Sequence, residues 1–308
     1  MGENEQRPEQ RPEPMKMGTP MAERHAPAAS RRKLGIMLRQ LRENSDLTGE
    51  EVAKRLRIRS PKIYRVEGGK VVPTHPELTM LMDLYHVSED YRDILLQLAE
   101  EARRKGWYES YESVLPPKFD TYVGLESDAT SLRAYEHNLV HGLLQTREYA
   151  HAVLAAGNPA EHPDDIKLLV DLRMRRQELL TRDHDPLHFW VVMEENVLHR
   201  PVGGRQVLAE QLDHLLKTTV DLPHVTIQII PTSVGAHAGL AGSFSILEFE
   251  PSAPEVVYVD SHGGNLTLEK TRDLRRCKLL YNHLLSDALP KKESVQLIKS
   301  VREDLREP

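Results

Sequence analysis

The sequence predicts an α+β protein in which a small all-α domain is followed by a larger domain of mixed helices and strands. Three observations support this prediction. The length of 308 residues suits two domains. Apolar residues recur at helical spacing through 33–105, and apolar and polar residues alternate in short stretches of the second half. We expect a disordered tail over 1–30 and an all-α domain over 31–106. An α+β domain should follow over 107–290, and a C-terminal helix or tail over 291–308.

The composition excludes several classes of protein. No apolar run approaches the ~20 residues that a membrane span needs, and the N-terminus lacks the basic-then-apolar order of a secretory signal, so we expect a cytoplasmic protein. Cys277 is the single cysteine, which excludes an internal disulfide and a zinc site built on two or more thiolates. Its helical spacing from Leu274 and Tyr281 predicts a small buried thiol.

Charge is distributed unevenly along the chain. Residues 31–70 contain 12 Lys and Arg against 5 Asp and Glu, a net charge of +7. Taking this +7 from the overall −6 leaves −13 on the remaining residues. A compact basic segment in an acidic protein indicates a polyanion-binding surface, because neutralising phosphates releases condensed counterions. A solvated basic helix face is the alternative.

The first two helices of the all-α domain are marked by apolar spacing and by a capping motif. Leu34, Leu38 and Leu41 share one helical face. After a break at 44–46, Thr48 and Glu51 form a predicted capping box, in which the Thr48 hydroxyl accepts from the Glu51 amide and the Glu51 carboxylate reaches back. A second short helix is therefore expected from residue 49.

Three further helices complete this domain. Ser60 is the predicted N-cap of the third helix, with Pro61 at its first position, where a missing N–H has no cost. Gly68 and Gly69 end it. A fourth helix follows Pro76, and a fifth runs from Ser88 to Gly106.

The second region has the pattern of a mixed domain. An aromatic and proline-rich connector covers 107–120. Beyond it, helices are predicted near 122–138, 146–156, 164–181, 204–219 and 271–288. Strands are predicted over 187–193, 225–230, 244–249 and 256–260. Val225, Ile227 and Ile229 alternate with Thr226 and Gln228, which is typical of a half-buried strand.

The second and third helices have the pattern of a helix-turn-helix. Ala53 suits a close approach of two backbones, and Ile58, Ile63 and Val66 suit the support of the second helix. A basic cluster flanks the motif: Arg31, Arg32, Lys33, Lys54, Arg55, Arg57, Arg59 and Lys70. A recognition helix can enter the major groove of DNA and contact base edges, and a helix N-terminus suits a phosphate. An ordinary three-helix corner is the alternative.

Eight residues form the predicted DNA-binding set. Ser60, Lys62, Tyr64 and Arg65 are expected to contact bases or the groove, and Arg55, Arg59 and Lys70 are expected to contact phosphates; Thr48, at the start of the second helix, completes the set.

Residues 34–96 resemble the Xre/Cro family of helix-turn-helix domains. The resemblance rests on the stretch from Leu47 to Ala53 and on the sequence Arg65-Val66-Glu67-x-Gly69. Three positions depart from that family. Arg57 stands where a glycine is usual in the turn, Gly49 stands where a glutamine is usual, and Arg59-Ser60-Pro61 replaces the usual Ser-Gln start of the recognition helix. These departures bear on the operator sequence.

The rest of the chain is similar to the domain that follows this module in actinobacterial regulators, including WhiJ-like proteins and Scr-type antitoxin-like regulators. The matching segments are 105–107, 119–126, 142–150, 173–177, 197–204 and 222–228. The resemblance implies a sequence-specific transcriptional regulator that is paired with a small partner protein encoded nearby.

Other patterns have weaker functional meaning. His137 and His141 stand four residues apart in a predicted helix, but Asn138 occupies the position where zincin chemistry needs a glutamate, so no metal site is expected. The glycine-rich stretches 235–239 and 261–264 lack a nucleophile elbow and suit turns. Glu194 and Glu195 are expected in a solvated loop. No phosphate-binding glycine loop is present, and no cofactor is expected. The aromatic cluster of Trp107, Tyr108, Tyr111, Phe119 and Tyr122 suits packing between the domains or a protein interface.

The leading hypothesis is a cytoplasmic regulator that binds double-stranded DNA as a homodimer, with a C-terminal domain that receives a partner protein or a signal. One alternative is an antitoxin-like protein whose main role is to bind a small partner. An enzyme built on 110–290 is a less favoured alternative, because catalytic signatures are missing; a deep polar pocket with a perturbed histidine would support it.

Overall fold

The computed structural model describes residues 27–116, 119–249, 254–260 and 266–306. It confirms an α+β architecture, with a helical N-terminal region followed by a mixed domain. Residues 1–26 of the predicted tail lie outside the described residues, whereas 27–30 are helical, contrary to the prediction. The helical region contains α1 (Pro27–Asn44), α2 (Gly49–Leu56), α3 (Ser60–Glu67), α4 (His75–Leu84) and α5 (Glu89–Arg103).

The helical region has its own hydrophobic core. Leu34 and Leu38 of α1 pack against Val52 and Ala53 of α2 and Ile63 of α3 within one cluster of buried side chains. The sequence patterns predicted that Leu34, Leu38, Ala53 and Ile63 are inside. Burial of this apolar face, rather than intrinsic propensity, stabilises helices as short as the eight residues of α2 and of α3.

The C-terminal domain is built on a six-stranded mixed sheet of order β3-β2-β1-β4-β5-β6. β1 is parallel to β2, and β2 to β3, while β4, β5 and β6 continue the sheet in antiparallel pairs. The strands are β1 (Ser131–Glu136), β2 (His188–Glu194), β3 (Val225–Ile230), β4 (Phe244–Glu248), β5 (Val256–Val259) and β6 (Leu266–Leu268). The sequence patterns had not indicated β6.

Helices cover both faces of the sheet. They are α6 (Phe119–Asp128), α7 (Arg147–Gly157), α8 (Pro163–Thr181), α9 (Asn196–His199), α10 (Arg205–Asp221), α11 (Thr271–Asp287) and α12 (Lys291–Arg306). On one face, Phe189 and Ile227 pack against α6, α8, α10 and α12. On the other, Tyr135 and Val192 pack against Tyr281 and neighbouring residues of α11. Cys277 of α11 is half-buried rather than buried, at the margin of this second core.

Three further predictions for the elements of this domain are wrong. The helix expected over 122–138 ends at Asp128, and Ser131–Glu136 form the strand β1 between β2 and β4. β3 is buried along its whole length rather than on one face. Its polar residue Gln228 can be buried because the amide donates to the Leu289 carbonyl and accepts from the Trp190 indole. The segment after Pro290 is not exposed throughout: α12 buries Ile298 and Val301 in the main core.

The helix α1 joins the two regions. Its first turn contacts α6, where Asp128 accepts from the Ala29 N–H at 2.7 Å. Further along, the Ser30 hydroxyl donates to Glu101 of α5 at 2.8 Å. The aromatic connector forms a 3₁₀ helix, Trp107–Val114, that packs on Val123 of α6 and Leu172 of α8. The helical region is thus held both by the chain connection after α5 and by the start of α1.

Candidate functional site

The corner between α2 and α3 is stabilised at both ends by local hydrogen bonds. Thr48 and Glu51 form the predicted capping box, with the Thr48 N–H donating to the Glu51 carboxylate at 2.7 Å. These bonds lower the pKa of Glu51. Arg57 ends α2 in the left-handed conformation with φ of 54°, so this chain places an arginine in the backbone geometry that favours glycine. At the end of α3, Gly69 adopts φ of 65°, which suits the absence of a side chain.

The start of α3 differs from the prediction. Arg59, not Ser60, is the N-cap, and it makes no side-chain capping bond. Ser60 is already helical because the Arg59 carbonyl accepts from the Lys62 N–H at 2.9 Å and closes the first turn. Pro61 then lies within that turn, where its missing N–H leaves no bond unmade.

The exposed face of this corner carries most of the predicted DNA-binding set. Tyr64 of α3 is 54% exposed, and Arg65 beside it is also exposed. Thr48, Arg55, Arg59 and Lys70 are also exposed, and Ser60 is partly buried. Lys62 is different, because its ammonium group pairs with Glu77 of α4 and its side chain is 37% exposed. The Thr48 hydroxyl is already engaged with Glu51.

Gly49 and Tyr64 are matched across the corner. A Cβ added at Gly49 would lie 2.7 Å from the Cζ atom of Tyr64. The Tyr64 ring therefore covers the start of α2, in the space that a side chain at position 49 would otherwise occupy. This contact explains in physical terms how a glycine is accommodated where the resemblance leads one to expect glutamine.

An ion pair behind the corner connects α1 to α3. The Arg42 guanidinium binds both carboxylate oxygens of Glu67, at 2.6 and 3.0 Å, and donates to the Leu47 carbonyl at 2.8 Å. Both side chains are nearly buried, at 11% and 7% exposure. Glu67 of the Arg65-Val66-Glu67 sequence is thus a structural residue.

Two members of the predicted basic cluster face away from the corner. Arg32 is buried against the C-terminal domain, where it donates to the carbonyls of Pro254 and Glu255 and its Nε lies 3.3 Å from Glu269. Its guanidinium also lies over the Phe249 ring. The Nε atom of Arg31 is buried, and its charge acts on Tyr108 and Asp128. The first turns of α1 face the C-terminal domain, where α6 and β5 lie beside them. The exposed basic surface is therefore smaller than predicted.

The remaining sequence candidates are mostly structural. His137 and His141 follow β1 in a loop, not in a helix, and the described residues contain no cluster of three metal-ligating side chains. Glu194 ends β2 and contacts the Tyr135 hydroxyl at 2.7 Å and His237 at 3.1 Å, so it is not in a solvated loop. The stretch 235–239 is a turn before β4, and 261–264 lie outside the described residues.

Sequence reasoning did not identify a polar cavity of about 210 Å³ in the C-terminal domain. It lies between the sheet and the helices α6 and α8, and ionisable and aromatic side chains line it: Phe119, Tyr122, Glu136, His141, Arg173, Arg176, Phe244, Tyr258 and Asp260. Three of the matching sequence segments meet there. Arg173 donates to Gln145 at 2.8 Å, Gln177 donates to the Gly142 and Gln145 carbonyls, and Arg176 binds Glu126 through two bonds of 2.6 and 2.8 Å.

Burial changes the pKa values of the groups in this cavity. Burial and the neighbouring Arg176 and Arg173 charges lower the pKa of His141 to about 3, so the ring is neutral. Its Nδ1 accepts from the Leu143 N–H at 3.2 Å, which leaves its proton on Nε2. Burial raises the pKa of Glu136 to about 7, although Ser243 donates to its carboxylate at 2.8 Å.

No helix among the described residues has both the length and the hydropathy to span a membrane. Searches of curated proteins and of solved structures gave no match. Two protein families do match. Residues 33–95 match a helix-turn-helix domain family, in agreement with the exposed corner of α2 and α3, and this domain indicates a DNA-binding regulator. Residues 119–300, more than half of the chain, match the domain of unknown function DUF5753. The chain therefore belongs to the DUF5753 family and carries a helix-turn-helix domain before that domain.

Proposed function

We propose that the protein is a sequence-specific transcriptional regulator that acts in the cytoplasm as a homodimer on double-stranded DNA. The observation that carries this proposal is the exposed face of α3, where Tyr64 and Arg65 project from a corner that capping bonds and the Arg42–Glu67 pair hold in place. The face lies within the segment of net charge +7.

The chemistry of this face suits a duplex. The major groove admits a helix, and an arginine can donate two hydrogen bonds to the O6 and N7 atoms of guanine. Arg55, Arg59 and Lys70 surround the helix with positive charge for phosphates. Lys62 contributes to this surface only after it leaves Glu77, so we expect it to add less than Arg65.

The small size of the reading surface supports a dimer. One eight-residue helix contacts only a few base pairs, and two copies on half-sites about one helical turn apart give a longer operator. Sedimentation of the full chain, alone and with operator DNA, measures the stoichiometry. A single copy on each operator would contradict the dimer.

The test of function begins with the genomic sites that the full chain occupies in its own cells. Fluorescence anisotropy then compares a mapped duplex with a scrambled duplex of equal length. We expect preference for the mapped site by at least about a thousandfold at physiological salt. The double variant Arg59→Ala/Arg65→Ala should lose this preference, whereas Arg147→Ala, which changes a half-exposed arginine of the C-terminal domain, should keep it. Absence of binding to any duplex at low salt would refute the proposal.

The C-terminal domain, in this proposal, receives a signal or a small partner protein. The antitoxin-like alternative rests on the resemblance to WhiJ-like and Scr-type regulators. Co-purification of a stoichiometric small protein with the full chain would favour it.

The cavity contains a perturbed histidine, His141, which is one of the features that an enzyme would need. We nevertheless propose a binding role, because a histidine with a pKa of about 3 is a poor general base at neutral pH. Turnover of a bound small molecule by the purified chain would contradict this.

A further inference from the structure

We infer that the cavity between the sheet and the helices α6 and α8 binds a small zwitterion, a molecule of amino-acid size with one carboxylate and one ammonium group. This inference deepens the proposed signal-receiving role of the C-terminal domain and rests on it only for the regulatory consequence. Binding itself depends on side chains of the sheet, which form the floor of the cavity, and of α8, which form its roof.

Two rows of side chains on one face of the sheet form the floor. Ala134 of β1 pairs with Ser245 of β4, and Ser245 pairs with Tyr258 of β5. Because side chains on one face recur every second residue, Glu136, Ser243 and Asp260 form the next row towards the end of the sheet. The floor therefore presents two carboxylates, from Glu136 and Asp260, beside the Tyr258 phenol.

The roof contains two arginines of α8 that differ in their hydrogen bonding. Arg176 is paired with Glu126 through two short bonds, and its Cζ atom lies 5.3 and 5.4 Å from the centres of the Phe119 and Tyr122 rings. Arg173 makes one hydrogen bond within the described part of the chain, from Nη1 to Gln145. The remaining N–H groups of Arg173 can therefore donate to a ligand, whereas those of Arg176 largely hold the roof together.

Tyr258 gives an independent observation that points to a ligand. Its side chain lines the cavity, the residue is only 6% exposed, and its hydroxyl has no hydrogen-bond partner among the described residues. A buried hydroxyl without a partner destabilises the protein, because its lost contacts with water are not replaced. A ligand that accepts a hydrogen bond from Tyr258 would remove this penalty.

The arrangement of charge selects a zwitterion over a simple ion. A ligand that carries only negative charge would lie against Glu136 and Asp260, and a ligand that carries only positive charge would lie against Arg173. A zwitterion can direct its carboxylate to Arg173 and Tyr258 and its ammonium group to the two carboxylates. The volume of about 210 Å³ is below the ~300–1,000 Å³ that is typical of pockets for drug-sized ligands, and aromatic rings can contact a short side chain.

The cavity also contacts the elements that hold α1. Tyr122 belongs to α6, which carries Asp128, and Tyr258 belongs to β5, which begins beside the Pro254 and Glu255 carbonyls bound by Arg32. A ligand that orders these two rings can therefore change the contacts of Asp128 and of Arg32, which hold α1 against the C-terminal domain.

The test uses the DNA-free full chain at pH 8, where Glu136 is mostly ionised given its pKa of about 7. The twenty proteinogenic L-amino acids are screened singly at millimolar concentration by thermal shift and then by titration calorimetry. We expect at least one to bind, and its 2-hydroxy acid and its carboxamide, which each lack one charge, to bind at least tenfold more weakly. Arg173→Gln and Glu136→Gln should each weaken binding at least tenfold, while Arg147→Gln should leave it unchanged.

Two outcomes would overturn the inference: binding of none of the twenty amino acids to the wild-type chain, or equal binding of the amino acid and its 2-hydroxy acid. If circular dichroism shows that a cavity variant does not fold, the affinities of the wild-type chain for the amino acid, its 2-hydroxy acid and its carboxamide still test the inference. Because these measurements contain no DNA, their failure is distinguishable from failure of the DNA-binding proposal.

Discussion

Asp128 caps the helix on which the helix-turn-helix domain is built, since its Oδ2 accepts from the backbone N–H of Ala29 at 2.7 Å. The first N–H groups of a helix have no partners within the helix, and here a carboxylate from the C-terminal domain supplies one. The carboxylate is almost entirely buried, and this burial raises its pKa from 3.8 to about 7, against the opposing effect of its hydrogen bonds and of Arg31 and Arg182.

This raised pKa predicts a pH dependence of stability. The folded chain binds a proton at Asp128 as the pH falls through about 7, whereas the unfolded chain does so only near 3.8, so this group contributes stability at low pH that is lost as the pH rises through 7. Asp128→Asn keeps an oxygen acceptor for Ala29 but cannot titrate. The stability of the wild type relative to Asp128→Asn should increase by about 2 kcal/mol from pH 8 to pH 5, as measured by urea unfolding. A difference in stability that does not change with pH would contradict the assigned titration. Glu136 titrates in both proteins and therefore does not contribute to this difference.

The Arg42–Glu67 pair predicts a non-additive effect on stability. Glu67→Ala leaves the nearly buried Arg42 guanidinium without its carboxylate and should destabilise the helix-turn-helix domain by about 3 kcal/mol. The double variant Arg42→Met/Glu67→Leu removes both charges and should recover most of this loss. Urea unfolding of the wild type and the two variants measures this recovery, and equal destabilisation by the single and the double variant would contradict the prediction.

The contact between Gly49 and Tyr64 predicts a change in DNA binding without a large change in stability. In Gly49→Gln the new side chain displaces the Tyr64 ring, which can move because it is 54% exposed. We expect the free energy of unfolding to change by less than about 1 kcal/mol, as is usual for surface substitutions, while affinity for the operator changes. If Gly49 acts through Tyr64, then Gly49→Gln should have a smaller effect on affinity in a Tyr64→Ala background.

Base-reading and phosphate-binding residues should differ in salt dependence. Arg65→Ala should weaken binding to the operator by roughly 1–3 kcal/mol and leave non-specific binding nearly unchanged. Arg59→Gln should weaken binding to every duplex and lower the slope of log affinity against log salt by about one. Anisotropy titrations at four salt concentrations separate the two effects. Identical behaviour of the two variants would refute the division of roles.

Local signals in the sequence were sufficient for the helix-turn-helix domain. Its five helices begin and end near capping residues and glycines, such as Thr48 and Gly69, whose effects operate within a few residues. The N-cap of α3 was predicted one residue too late, at Ser60, because the carbonyl that closes the first turn belongs to Arg59. The ion pair of Lys62 with Glu77 joins α3 to α4 and has no local signal.

The mixed domain required tertiary information. Tyr122, Leu125, Ala129 and Leu132 continue a helical spacing, yet Leu132 lies in β1, because pairing with β2 and β4 on both sides outweighs local preference. The cavity was harder still to foresee. Its lining comes from α6, β1, the loop after it, α8, β4 and β5, so no single segment carries its pattern, although the segments 119–126, 142–150 and 173–177 each contribute part of it.

The 18-residue helix α1 has one end in each region of the molecule. Because an α-helix resists bending, a tilt imposed on its first turn by Asp128 or Arg32 is carried along its axis to Arg42 and hence to α3. At a rise of ~1.5 Å per residue, α1 is about 27 Å long, so a tilt of about 3° at its start displaces its far end by roughly 1.4 Å. In the dimer that we propose, such displacements would change the spacing between the two copies of α3.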